Sequence, residues 1–154
     1  MSGPVLEETA MTSIVDRSPS GGIHLFHAAV LAGALPLFLG ALLADYAYWT
    51  RHQIEWSNFA SWLLVGAMVL ATIALACAVF ALFRGGRVGV YILVLAATWV
   101  VGFFDALHHA RDAWGIMPTA LVLSLAAAAL ALVATWIGFS SLRGTPGPYA
   151  GGAR

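Results

Sequence analysis

Hydrophobic and polar positions along this chain fall into long blocks, with no short-period alternation. Four apolar stretches stand out: about Ile23 to Ala44, Phe59–Phe83, Val88–Phe104 and Ile116–Phe139. The first carries His24 and His27 at its start. Polar interruptions in the others are few: Ser61 and Thr72, then Thr98, then Thr119, Ser124 and Thr135. At ~1.5 Å per helical residue, each stretch crosses or nearly crosses a hydrocarbon layer of about 30 Å. Lipid offers backbone groups no hydrogen-bond partner, so such spans must be helices; the alternating polarity of a closed barrel is absent. The pattern predicts an all-α integral membrane protein, an antiparallel four-helix bundle with helices at about 23–48, 58–83, 88–110 and 116–140. Residues 23–140 then form one domain, between a mobile tail at 1–22 and a flexible C-terminal tail at 141–154.

Composition supports lipid as the main solvent. The chain is 61% hydrophobic and 9% charged, against roughly 25% charged in an ordinary soluble domain. A soluble chain this short has no core large enough to hide so much apolar surface. The first stretch does not read as a cleaved leader. Glu7, Glu8 and Asp16 outweigh Arg17 before it, and it runs on into Asp45-Tyr46-Ala47-Tyr48 without a small-residue cleavage site. Seven arginines balance seven acids, which leaves no basic footprint for nucleic acid. The single cysteine, Cys77, lies in an apolar run and reads as a small buried hydrophobe.

The arginines also set an expected orientation. Arg17, Arg84, Arg87, Arg143 and Arg154 fall on one side of the four-span layout, and Arg51 and Arg111 on the other. The excess places both termini in the cytoplasm. Tyr46, Tyr48, Trp49, Trp56, Trp62 and Trp114 gather at the outer boundary, where amphipathic rings favour the headgroup level. Small residues suggest how the helices meet: Ala32, Pro36 and Gly40 in the first, Ala67, Ala71, Ala74 and Ala78 in the second, and Ala126–Ala129 in the fourth. Pro36 is expected to kink the first helix.

Three segments carry a resemblance. "GGIHLFHAAVLAGALPLFLGALLADYAYW" (21–49), "NFASWLL" (58–64) and "HHARDAWGIMPTALVLS" (108–124) resemble the small bacterial membrane-protein family catalogued as domain of unknown function 2231. The likeness spans about Gly21 to Gly138. His24 matches the histidine that opens the family's first helix, where Leu25 stands in place of the family's proline. Arg111 and Asp112 match its Arg-Asp pair, and Pro118 its proline early in the fourth helix. The resemblance implies a four-helix integral membrane protein and supplies no reaction.

Candidate chemistry is confined to the helix ends. His24 and His27 share a helix face and are candidate haem or metal ligands, although no histidine on another helix lies at their depth. At the other end, "FFDALHHARDAW" (103–114) gathers Asp105, His108, His109 and Asp112 within one helical arc. Imidazoles and carboxylates so arranged suit a divalent ion such as zinc, with Asp45 as a further candidate ligand. The plainer reading is a polar cap at the membrane boundary, in which Asp45, Arg111 and Trp114 fix the end of the bundle and offer a surface to a partner. No phosphate loop, H-E-x-x-H or G-x-S-x-G occurs, and no ionisable group sits at mid-membrane, where a carrier would want one. The expectation is a non-enzymatic structural or accessory subunit with no cofactor, in contact with the lipid bilayer and with other membrane subunits or itself. The alternative is a membrane redox protein holding haem or a divalent metal through histidines at the helix ends.

Overall fold

In a computed structural model, residues 20–85, 89–111 and 115–143 are described, with side chains from 25 to 140. They form four helices: α1 (Ser20–Arg51), α2 (Ile54–Phe83), α3 (Gly89–His109) and α4 (Thr119–Arg143). Each contains a stretch long and apolar enough to cross a membrane: Leu25–Arg51, Ile54–Phe83, Gly89–His109 and Thr119–Ser140. Sequential helices pack side by side, and α4 closes the ring against α1. α1 and α3 therefore face each other across one diagonal, and α2 and α4 across the other. This is the expected all-α four-helix bundle. The tails at 1–22 and 141–154 lie almost wholly outside the described residues.

Each helix buries one narrow stripe with a strict three-four alternation. In α2 the buried residues are Ser57, Ala60, Leu64, Ala67, Ala71, Ala74 and Ala78. α3 buries Tyr91, Leu95, Thr98, Gly102 and Asp105. The stripe of α1 includes Leu31, Ala34, Phe38, Ala41, Asp45 and Tyr48, and that of α4 includes Ala120, Ser124, Ala127, Ala131 and Ala134. A seven-residue repeat of this kind keeps one seam facing its neighbours along the whole helix. Outside the stripes stand large apolar side chains such as Leu43, Trp62, Leu93 and Trp136, as a lipid solvent permits.

Because lipid is as apolar as leucine, burial alone does not drive these helices together; close packing must do it. Alanine fills most of the stripes of α2 and α4, and leucine side chains of one helix enter gaps opposite glycines of the next. A Cβ on Gly33 would lie 3.0 Å from Leu70, one on Gly40 3.0 Å from Leu63, and one on Gly66 3.2 Å from Leu37. Each step of seven down α1 is thus met by a step of seven up α2, the register of an antiparallel pair. Across the diagonal, Phe38 of α1 reaches Gly102 of α3, where a Cβ would lie 3.1 Å from its ring and 2.7 Å from Met68 Sδ. Phe38 is the largest fully buried side chain in the bundle. The buried hydroxyls of Thr98 and Ser124 donate to the carbonyls of Val94 (2.8 Å) and Ala120 (3.0 Å) in their own helices, so they impose no polar path.

One expectation about α1 is corrected. Ala32 and Pro36 are exposed, so of these three only Gly40, close against Leu63, takes part in packing. A four-residue step turns the helix by about 400°, and the stripe drifts about 40° per step; the three-four alternation beginning at Leu31 drifts only about 20° per seven residues. The helical residues of α1 continue through Pro36, which is exposed on the outer face. The helix ends differ too. α2 starts at Ile54, several residues before its apolar run, because Glu55, Ser57 and Asn58 extend the helix past the hydrocarbon. The α1–α2 connection is only His52-Gln53, with His52 at φ 55° in the left-handed position that ends a helix. Its N–H donates to Tyr48 O at 2.8 Å.

Candidate functional site

The constant α1–α3 register brings polar groups together at two depths. His27 meets Tyr91 and Asp45 meets His109, each pair separated by 64 residues; Phe38 and Gly102 share that separation. Parallel helices keep such an offset indefinitely. The two pairs stand about five turns apart, ~27 Å along the bundle at 1.5 Å per residue, close to the thickness of a hydrocarbon layer.

The end nearer the chain termini is simple. His27 Nε2 and the Tyr91 hydroxyl lie 2.6 Å apart, with the rings edge to face at 5.7 Å. The His24 side chain, the other candidate ligand at this end, lies outside the described residues. His52, His108 and His109 all lie at the opposite end of the bundle.

The opposite end is more elaborate. Asp45, six residues before the end of α1, and Asp105, one turn before the end of α3, are both wholly buried. His109 closes α3 with its side chain 2% exposed. A hydrogen bond of 2.9 Å links His109 Nε2 to Asp45 Oδ1. His109 Nδ1 lies 3.0 Å from the Asp105 backbone carbonyl and 3.2 Å from Asp105 Oδ1. The carbonyl takes the aligned hydrogen bond, so Asp105 Oδ1, Asp105 Oδ2 and Asp45 Oδ2 are buried without a hydrogen-bond partner. Buried carboxylate oxygens are seldom left so. One ligating atom from each of Asp45, Asp105 and His109 lies within 4.8 Å of the others. At the same end of the bundle Tyr48, Ile116 and Ala120 form a small buried apolar group, with Trp56 and Met117 packed against it. On its outer side an open cleft of ≈ 410 Å³ is lined by Ile54, Glu55, Ser57, Asn58, Ser61 and His109. Ser61 donates to the Ser57 carbonyl at 2.9 Å.

Of the metal candidates read from "FFDALHHARDAW", Asp105 and His109 come together. His108 points elsewhere, its Nε2 3.1 Å from the Ile116 carbonyl, where it ties α3 to the segment leading into α4. Asp112 lies outside the described residues, as does Trp114 of the expected cap. Arg111 is exposed. Asp45, expected as a cap residue and further ligand, is the partner that makes the cluster span two helices. What the linear reading missed was Ser57, Ser61 and Glu55 on the cleft wall. The signal for Ser57 was present, since it continues the α2 stripe one turn beyond the apolar run.

No family model matches this chain, and neither the curated proteins nor the solved structures contain a match to it.

Proposed function

We propose that this four-span protein is a non-enzymatic accessory subunit of a membrane assembly, braced internally at both membrane boundaries and meeting its partners through its outer faces. The single observation that supports the reading most is the filled interior. Between the His27–Tyr91 link and the Asp45–Asp105–His109 cluster, the buried groups among the described residues are apolar or are hydroxyls bonded to their own helix. A carrier or channel needs polar or ionisable groups along that path. The Asp45–His109–Asp105 cluster then serves as the polar cap that ties the end of α1 to that of α3.

The reading places the protein in a bacterial inner membrane with both termini cytoplasmic, on the arginine bias of the connections, and takes its resemblance to domain of unknown function 2231 as kinship. Extraction in a mild detergent followed by native-gel separation tests the assembly: the protein is expected to migrate with other polypeptides at a mass well above its own. Migration only as a monomer or a homo-oligomer sinks the accessory role. A reporter active only outside the cytoplasm, fused after Arg84, is expected to stay silent; activity there reverses the orientation.

A further inference from the structure

We propose that Asp45, Asp105 and His109 form a binding site for one divalent transition-metal ion, of which zinc is the most suitable probe. Two independent features point there. The first is convergence: three side chains from two helices place ligating atoms within 4.8 Å of one another. Zinc–oxygen and zinc–nitrogen bonds of about 2.0–2.2 Å put tetrahedral ligands roughly 3.5 Å apart, so small side-chain rotations close the site. The second is unused capacity: three carboxylate oxygens in the cluster are buried and lack hydrogen-bond partners.

Charge balance argues the same way. Two carboxylates and an imidazolium leave a net negative charge in a buried site, which is costly; two carboxylates, a neutral imidazole and a divalent ion sum to zero. The 2.9 Å contact between His109 Nε2 and Asp45 Oδ1 requires one proton between them, and the cation takes that proton's place. Coordination through Nε2 leaves Nδ1–H on the Asp105 carbonyl oxygen at 3.0 Å, the kind of second contact that orients a ligating imidazole.

Donor type narrows the ion. Two carboxylate oxygens and one imidazole nitrogen form a hard-to-borderline set, suited to zinc, manganese or ferrous iron and unsuited to copper(I), which wants sulfur. Three protein ligands leave at least one position open. His109 lies both in the cluster and on the wall of the ≈ 410 Å³ cleft, so the open side is that facing Ser57 and Ser61. The ion is therefore exchangeable with the aqueous phase at that boundary.

The full chain, purified in mild detergent and stripped with a chelator, is dialysed against zinc chloride and assayed for bound metal. Wild-type protein is expected to take up one zinc ion per chain, and the zinc to raise its thermal midpoint. Asp45→Asn/Asp105→Asn and His109→Gln are expected to weaken binding by at least about 10-fold, since loss of a ligand costs no less than loss of an outer-shell partner. His24→Ala/His27→Ala, at the far end, is expected to bind as wild type does and serves as the folded control. Helical circular dichroism is recorded for every variant. Wild-type protein with full helicity and no bound zinc overturns the site, as does zinc binding undiminished in a folded Asp45→Asn/Asp105→Asn variant. Should that double variant lose its helicity, His109→Gln with native helicity and retained zinc overturns it equally.

Discussion

The two ends of the α1–α3 diagonal solve the same problem differently. At one end an imidazole meets a hydroxyl, His27 with Tyr91 at 2.6 Å. At the other an imidazole meets two carboxylates, Asp45 at 2.9 Å and Asp105 at 3.2 Å. Both links span the same pair of helices at the same offset, so helix geometry does not distinguish them. Chemistry does. The hydroxyl–imidazole link joins two groups that are both neutral in ordinary solution at pH 7, and one hydrogen bond serves it. The carboxylate–imidazole link gathers more acceptors than its histidine can serve, and three oxygens are left over. One end is a closed brace; the other has ligating capacity to spare and opens on a polar cleft.

The widest separation between the ends comes from removing the histidines' partners. With chelator present, His109→Leu leaves two buried carboxylates facing each other with no cation, a loss of about 3–5 kcal/mol of the kind seen when one partner of a buried pair is removed. Unfolding by denaturing detergent, followed by far-UV circular dichroism, measures it. Adding Asp45→Asn and Asp105→Asn to His109→Leu is expected to restore most of the loss, because the stranded charges are then gone. A single-variant loss below about 0.5 kcal/mol, within the range of ordinary surface changes, removes the distinction between the ends.

The equivalent cut at the other end is gentler. Tyr91→Phe keeps the ring and its packing against Leu31 and Leu95 in the same buried cluster and deletes only the hydroxyl. The expected loss is about 1 kcal/mol, the net worth of one hydrogen bond, in the same unfolding assay. An effect as large as that of His109→Leu makes the two links equivalent after all.

Much of this architecture is legible in the sequence. Block hydropathy predicts the four spans because lipid selects helices by length and apolarity alone. The α2 stripe of Ala67, Ala71, Ala74 and Ala78 is visible because its spacing holds the three-four alternation. Ala32, Pro36 and Gly40 look like a small-residue stripe, yet steps of four drift around the helix: of the three only Gly40 packs, against Leu63, and the buried stripe is Leu31, Ala34, Phe38 and Ala41. The polar cluster was half legible. Asp105 and His109 are one turn apart on one helix, which spacing reveals. Asp45 joins them only through the α1–α3 offset, set by side chains such as Phe38 against Gly102. No local pattern encodes that offset. His108 shows the converse: its spacing placed it in the same arc, and the backbone leading into α4 captured it.

A third polar link lies off the diagonal and calibrates the other two. Trp99 Nε1 of α3 donates to Thr72 Oγ1 of α2 at 2.8 Å, while that hydroxyl donates to the Met68 carbonyl at 2.7 Å. Both bonds lie on the exposed face of the bundle, and Trp99 also stacks on Phe103 at 5.3 Å. Thr72→Val keeps the branched shape and removes the acceptor, leaving the indole N–H unpaired on a lipid-facing surface. Interhelical hydrogen bonds in membranes average about 0.6 kcal/mol, and the unfolded helix also finds partners there, so the expected loss is of that size. It should fall below that of Tyr91→Phe, whose hydroxyl is enclosed between helices. If Thr72→Val costs as much as Tyr91→Phe, enclosure on the diagonal adds nothing to a hydrogen bond in this bundle. The larger loss expected for His109→Leu must then be assigned to the carboxylates' charge alone.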